Sequence, residues 1–207
     1  MVQILELYKQ WYTDRDYEQR DLFQAIAAKF DIKSVLYPGS YVHISPSFFI
    51  PYACYVDKDK KANGFFRDIE GLEKEIQKQA SYSEPVQIKY HSQDYTKPIS
   101  EPEHSFDLLV SQYAGFVCQP CKRYLKHGGL LLVNNSHGDA GVAALDTDYT
   151  LCCVFDRREN RYVFSTRNLD DYFVPKKQYQ DLKSHIIETG KGIAYTKTAT
   201  LYLFRLL

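Results

Sequence analysis

The sequence predicts an α/β fold: a mostly parallel sheet with helices on both faces, antiparallel strands on its C-terminal side and a helical cap at its N-terminus. Three observations predict it. Short runs of nearly continuous apolar residues recur from residue 33 to residue 135, and helical patterns separate them. Beyond them the rhythm changes to a hairpin and one strong terminal strand. Runs apolar on both faces suit strands covered on both sides, and their alternation with helices implies right-handed crossovers between parallel strands.

Taken in order, residues 1–30 read as two amphipathic helices split near Thr13–Asp16. Ile4, Leu5, Tyr8, Trp11 and Tyr12 recur at helical spacing, then Leu22, Phe23, Ile26, Ala27 and Phe30 do so again. They form the cap, and residues 33–207 form the α/β core of a single domain. The cap is either plain structural covering of one edge or mouth of the core or a place of substrate selection, closing over a ligand or packing against a partner subunit, as in a homodimer. Strands are expected at 34–37, 53–56, 86–90, 106–110 and 130–133. Helices are expected at Ser45–Pro51 (short), Gly71–Ala80, Gly115–Lys126 and Asp139–Asp146. Tyr149–Phe155 and Arg161–Ser165 pair as a hairpin through Asp156-Arg157-Arg158-Glu159-Asn160. A helix over Lys177–Glu188 and a strand over 200–205 complete the chain.

Composition narrows the function. The 26 basic and 26 acidic residues cancel, which disfavours nucleic acid as a partner and leaves a small-molecule substrate. The first residues are too charged for a secretory segment, and no apolar run approaches the ~20 residues of a membrane span. Five cysteines, an odd number without regular spacing, argue against a disulfide framework and for a reducing cytoplasm. Cys118 and Cys121 form a Cys-x-x-Cys on the expected 115–126 helix, but no second pair completes a zinc site. His43, His91, His104, His127 and His185 are scattered, so no metal site assembles from spacing; these thiols read as packing groups.

In an open α/β sheet, ligands bind beyond the carboxyl ends of the strands. The loops there are Tyr37-Pro38-Gly39-Ser40-Tyr41, Val56-Asp57-Lys58-Asp59, Ser92-Gln93-Asp94-Tyr95 and Ser111-Gln112-Tyr113-Ala114-Gly115. Gly39 lets backbone approach a ligand closely. Asp57 follows it by 18 residues, near the ~20 at which a carboxylate accepts hydrogen bonds from a ribose. Asp94 beside Tyr95 suits hydrogen bonding and flanking of an adenine. After the fifth strand comes the densest polar cluster, Asn134-Asn135-Ser136-His137-Gly138-Asp139-Ala140. There His137 is a candidate general base, Asp139 would orient it, and Asn134 or Asn135 would position a substrate. Asp139 or Ser136 could equally cap the next helix.

These strand ends, with the Leu125-Lys126-His127-Gly128-Gly129-Leu130 segment before the fifth strand, resemble the class I S-adenosylmethionine-dependent methyltransferase family over residues ~33–135. The resemblance implies a Rossmann-like sheet and S-adenosylmethionine as cofactor. It implies that Pro38, Gly39 and Ser40 line the cofactor's methionine part, that Asp57 with Lys58 meets its ribose, that Asp94 and Tyr95 meet its adenine, and that Ser111, Gln112 and Tyr113 face the transferred methyl. The first loop departs from the family pattern. It keeps one glycine, has Tyr37 near the usual acidic position, and carries bulky Tyr41 and His43. Two other readings stay open: a different chemistry on a nucleotide-like ligand, and a non-catalytic binding protein that has lost the cofactor.

Overall fold

The computed structural model describes residues 5–159 and 161–207. Ile4 of the expected first helix and Asn160 of the expected turn lie outside them. Parallel strands and the expected antiparallel C-terminal strands are both present. The chain divides into two compact units, residues 1–100 and 101–207.

In the first unit, helix α1 (Glu6–Tyr8) runs into a π-helical turn, Lys9–Thr13, and α2 spans Arg20–Phe30. Three parallel strands follow, β1 (Ser34–Pro38), β2 (Tyr52–Val56) and β3 (Gln87–His91), hydrogen-bonded in the order β3-β2-β1. Their register pairs Ser34 with Tyr52 and Tyr52 with Gln87. All five residues of β1 are buried, which is why its sequence is a continuous apolar run. Ser45–Phe48 forms the short helix as a 3-10 turn.

Two helices connect β2 to β3, and the sequence reading anticipated one. Helix α3 (Lys60–Phe65) escaped notice because its first half is polar. What starts it is Asp59, whose carboxylate accepts from the Lys61 and Ala62 amides. Helix α4 (Ile69–Gln77) starts in the same way at Asp68 and buries Leu72 and Ile76.

The N-terminal helices lie on the loop after β1. Tyr12 stacks on His43 at 4.4 Å, and Trp11 meets Tyr41 edge-on at 5.6 Å. The Tyr8 hydroxyl donates to Glu18 at 2.6 Å and pairs with the Ser45 hydroxyl at 2.9 Å. Buried His43 is bonded on both ring nitrogens, Nε2 to the Glu18 carbonyl and Nδ1 to the Tyr37 hydroxyl, each at 3.0 Å. A carbonyl only accepts, so Nε2 carries the proton and Nδ1 accepts from Tyr37.

In the second unit the order is β4-β5-β8-β6-β7, made of β4 (Phe106–Ser111), β5 (Leu125–Val133), β6 (Tyr149–Arg158), β7 (Arg161–Ser165) and β8 (Leu201–Leu206). Strands β4 and β5 are parallel. Strand β8 runs antiparallel to both β5 and β6, and β7 antiparallel to β6. Helices α5 (Asp139–Ala144) and α6 (Leu182–Thr189) complete it.

Three expectations are corrected here. The helix over Gly115–Lys126 does not form. Pro120 lacks a backbone N–H and Gly115 sits at φ +98°, and the Val117 and Cys118 amides bond to the Asp139 carboxylate. Only a 3-10 turn at Lys122–Tyr124 remains, so Cys118 and Cys121 lie in a turn. The segment Leu125–Gly129, expected to precede the fifth strand, is part of β5. A register shift against β4 absorbs it, and a Cβ on Gly129 would fall 2.7 Å from the Lys126 carbonyl oxygen. The hairpin strands extend to Arg158 and Arg161, which face each other, so the turn is shorter than the polar run suggested.

Burial pushes the His43 imidazole down to about 4, against the raising influence of its bond to the Glu18 carbonyl. An unfolded histidine takes up its proton near pH 6.5, before the folded one does, so stability is complete above that pH and lost as pH falls through about 4. Urea titrations at pH 7 and pH 4.5 should show a loss of roughly 2 kcal/mol that is missing in His43→Asn. Equal losses in both proteins would contradict the assignment.

Candidate functional site

At the carboxyl ends of the first unit's strands, Asp57 organises the loops. Its Oδ2 accepts from the Tyr41 amide at 2.7 Å, and its Oδ1 from the Asp59 amide at 2.8 Å. Gly39 donates its N–H to the Val56 carbonyl at 2.7 Å. To turn this way, Gly39 takes φ +62° and Tyr41 φ +51°, the left-handed region that glycine enters freely and tyrosine does not. The single glycine therefore makes one of the two left-handed turns, and the Asp57 carboxylate holds the other. Pro38 and Ser40 are buried beside it.

The Tyr90 hydroxyl, absent from the sequence reading, bridges the Asp57 carbonyl and the Asn63 side chain. Burial, with the Asp57 and Asp59 charges, pushes it up to about 12. Exposed Lys58 reaches Asp94 at 2.9 Å, and Asp94 also accepts from the Thr96 amide and hydroxyl at 3.0 and 2.8 Å. The Thr96 amide first, then Lys58, hold that carboxyl well below the usual range. Tyr95 is half-buried next to it.

The donor inventory tests whether this set suits a nucleoside. Each Asp57 oxygen has one backbone partner, which leaves lone pairs for the two hydroxyls of a ribose. Asp57 fits. Asp94 Oδ1 is filled by the Thr96 amide and hydroxyl, while its Oδ2 holds Lys58 and keeps one acceptor position. A cavity of about 370 Å³ lined by Gln24, Lys33, Phe49, Pro51 and Tyr82 lies at the other, amino ends of β1 and β2.

In the second unit the decisive group is Asp139, which is 1% exposed. Its carboxylate accepts from the Ser111 hydroxyl at 2.6 Å and from the Val117 and Cys118 amides at 3.1 Å. Burial pushes this carboxyl up; the Cys118 and Ser111 side chains and the two amides pull the other way. The expected pairing with His137 is not made: among the described residues no hydrogen bond joins them, and His137 is exposed. Asn135 accepts from the Gly141 amide at 3.2 Å, and Gly192 lies so close that a Cβ there would stand 2.2 Å from the Asn135 carbonyl oxygen. No local pattern marks Gly192, because its partner is far away along the chain.

Gln112 and Asn134 are 3% and 7% exposed, whereas Tyr113 is 57% exposed at φ +59°. Asn134 Oδ1 accepts from the Ser136 amide and hydroxyl. The side-chain nitrogens of Gln112 and Asn134 are buried without a partner among the described residues. Cys118 and Cys121 are buried, and burial pushes Cys121 up to about 12, as suits packing groups.

No protein-family model matches the chain, and no curated protein matches it. Solved structures do. A methyltransferase from Geobacter sulfurreducens superposes with a TM-score of 0.50 at 14% identity, over 73% of this chain and 83% of that one. The O-methyltransferase TomG from Streptomyces achromogenes, solved with its S-adenosylmethionine, gives 0.50 at 12%, over 79% and 87%. The N-methyltransferase NodS from Bradyrhizobium japonicum gives 0.50 at 12%, over 93% and 96%. The chain shares the fold of these solved structures. At these identities the likeness extends to the fold alone, so the chemistry has to be argued from the site.

Removing the Asp139 carboxylate would strand one hydroxyl and two amides in the interior. Asp139→Ala should lower unfolding stability by roughly 3 kcal/mol in urea titrations, and Asp139→Asn by less, because it keeps one acceptor. A neutral result for Asp139→Ala would show that those donors find other partners.

Proposed function

We propose that the chain is an S-adenosylmethionine-dependent methyltransferase acting on a small molecule. The observation that carries the reading is Asp57: a half-buried carboxylate at the end of β2, steadied by the Tyr41 and Asp59 amides, with acceptor capacity left for two hydroxyls. Fold likeness to methyltransferases supports it. When bound, the cofactor supplies a methyl group activated by a sulfonium.

In the first unit, Pro38, Gly39 and Ser40 offer backbone to the cofactor, and Asp57 with Lys58 meets its ribose. Asp94 and Tyr95 stand where a base would lie, with the Lys58–Asp94 pair joining the loops after β2 and β3. In the second unit, Ser111, Gln112 and Tyr113 follow β4, and the Asn134–Asp139 loop follows β5. Asn135 shapes that loop, Asp139 anchors it, and exposed His137 is the candidate general base on it. Methyl transfer needs positioning and removal of one proton, and positioning accounts for much of the rate. Five free thiols suit a reducing cytoplasm. No helix among the described residues is long and apolar enough to cross a membrane.

Calorimetric titration with S-adenosylmethionine and with S-adenosylhomocysteine tests the reading. Binding should weaken by roughly tenfold or more in Asp57→Ala, the loss expected for hydrogen bonds to a charged acceptor. No binding of either compound by folded protein would leave the reading as a binding protein without the cofactor. Once an acceptor is found, unchanged turnover in His137→Ala would remove His137 as the base.

A further inference from the structure

Gln112 and Asn134 occupy neighbouring strand ends in the second unit. The last paired residues of β4 and β5 are Ser111 and Val133, and the Asn134 amide donates to the Ser111 carbonyl at 3.2 Å. Both side chains thus emerge one residue beyond the same pair. Both are more than nine-tenths buried, and each carries a side-chain nitrogen with no partner among the described residues. For Asn134 the amide orientation is settled by its surroundings. Its oxygen accepts from the Ser136 amide and hydroxyl, so its nitrogen must face the other way.

A buried donor left unmade bears the full cost of its lost hydration, and native interiors rarely tolerate it. Two of them at adjacent strand ends, on the edge where α/β sheets bind ligands, point to an acceptor atom supplied from outside the chain. We infer that the Gln112 and Asn134 amide nitrogens together hold an oxygen of the methyl acceptor, which makes the acceptor a hydroxyl or carboxyl compound and the reaction an O-methylation. This rests on the methyl-transfer reading above.

Lone pairs decide between oxygen and nitrogen. A deprotonated oxygen has three: two can accept from the amides while the third attacks. A neutral amine has one, which the attack itself needs, so both donors would stay unmade; an ammonium has none. In the reaction the acceptor's proton passes to a base, for which His137 is the candidate, and its oxygen bonds to the methyl carbon as the carbon–sulfur bond breaks with its electron pair going to sulfur. The amide donors stabilise the negative charge on oxygen before that bond forms.

The test uses the full chain saturated with S-adenosylhomocysteine and two probes of one shape, phenol and aniline, followed by ligand-observed NMR. Gln112→Met keeps the length of the side chain and removes its donors. Asn134→Asp keeps the acceptor for Ser136 and removes the other donor. Phenol should bind roughly tenfold more tightly than aniline, and each variant should lose about tenfold in phenol affinity with aniline unchanged. Gln112→Met should also keep or raise the thermal midpoint, since an unmade donor has gone. A midpoint lower by several degrees would make Gln112 a structural residue and overturn the inference. Equal affinities, unaffected variants, or binding of neither probe would overturn it as well, while S-adenosylhomocysteine binding kept the methyl-transfer reading intact. Failure of the wild-type chain to bind S-adenosylhomocysteine would instead overturn that reading.

Discussion

A carboxylate in an interior is costly unless its oxygens are hydrogen-bonded, and Asp139 meets that demand with one hydroxyl and two backbone amides. Much of the second unit's architecture follows. The Val117 and Cys118 amides bond to Asp139 and tie the connection between β4 and β5, which runs as turns, to that carboxylate. Ser111 is held at the end of β4, and Gln112 comes next, buried, its side-chain nitrogen without a partner among the described residues. Helix α5 begins at the same carboxylate, so the loops after both strands share one anchor. An arrangement that satisfies Asp139 while leaving two amide nitrogens unmade is one in which ligand recognition and stability compete for the same few residues.

The first unit meets a comparable demand with a carboxylate nearer the surface. Asp57 draws the Tyr41 amide to itself and thereby stabilises a left-handed tyrosine in a loop with a single glycine. Behind that loop, the N-terminal helices contribute rings more than charges. Tyr8, Trp11 and Tyr12 pack on Phe48, Tyr41 and His43, and His43 is bonded on both sides. Rings with polar tips suit such a place, because they bury area and still complete hydrogen bonds. The side chains of the departing loop thus serve different ends: His43 packs into the helical cap, while Tyr41 contributes its backbone to Asp57.

Legibility followed sequence range. Buried strands were readable because both of their faces are covered, so apolar residues run on without interruption, as in β1 and β4. Helix α4 was readable from its spacing. Helix α3 was not, since one capping aspartate and a polar turn resemble any loop. The pattern from Gly115 to Lys126 misled because composition there permits a helix while Pro120, without a backbone N–H, interrupts it. Likewise, the position of Asp139 before a helix suggested either a cap or a partner for His137. Its choice of Ser111 depends on β4 and β5 lying side by side.

By itself the sequence determined the fold class, the positions of the strands, and which loops carry polar groups at the strand ends. Those properties reside in short-range periodicity and composition, which local physics can express. Only the tertiary structure decided which groups meet. Glu18 bonds to His43, Ser111 to Asp139 and Gly192 packs on Asn135, each across a long stretch of chain. It also decided which buried amides stay unmade at the ends of β4 and β5. Whether a hydrogen bond forms depends on what the rest of the chain places within three ångströms, and no local pattern encodes that.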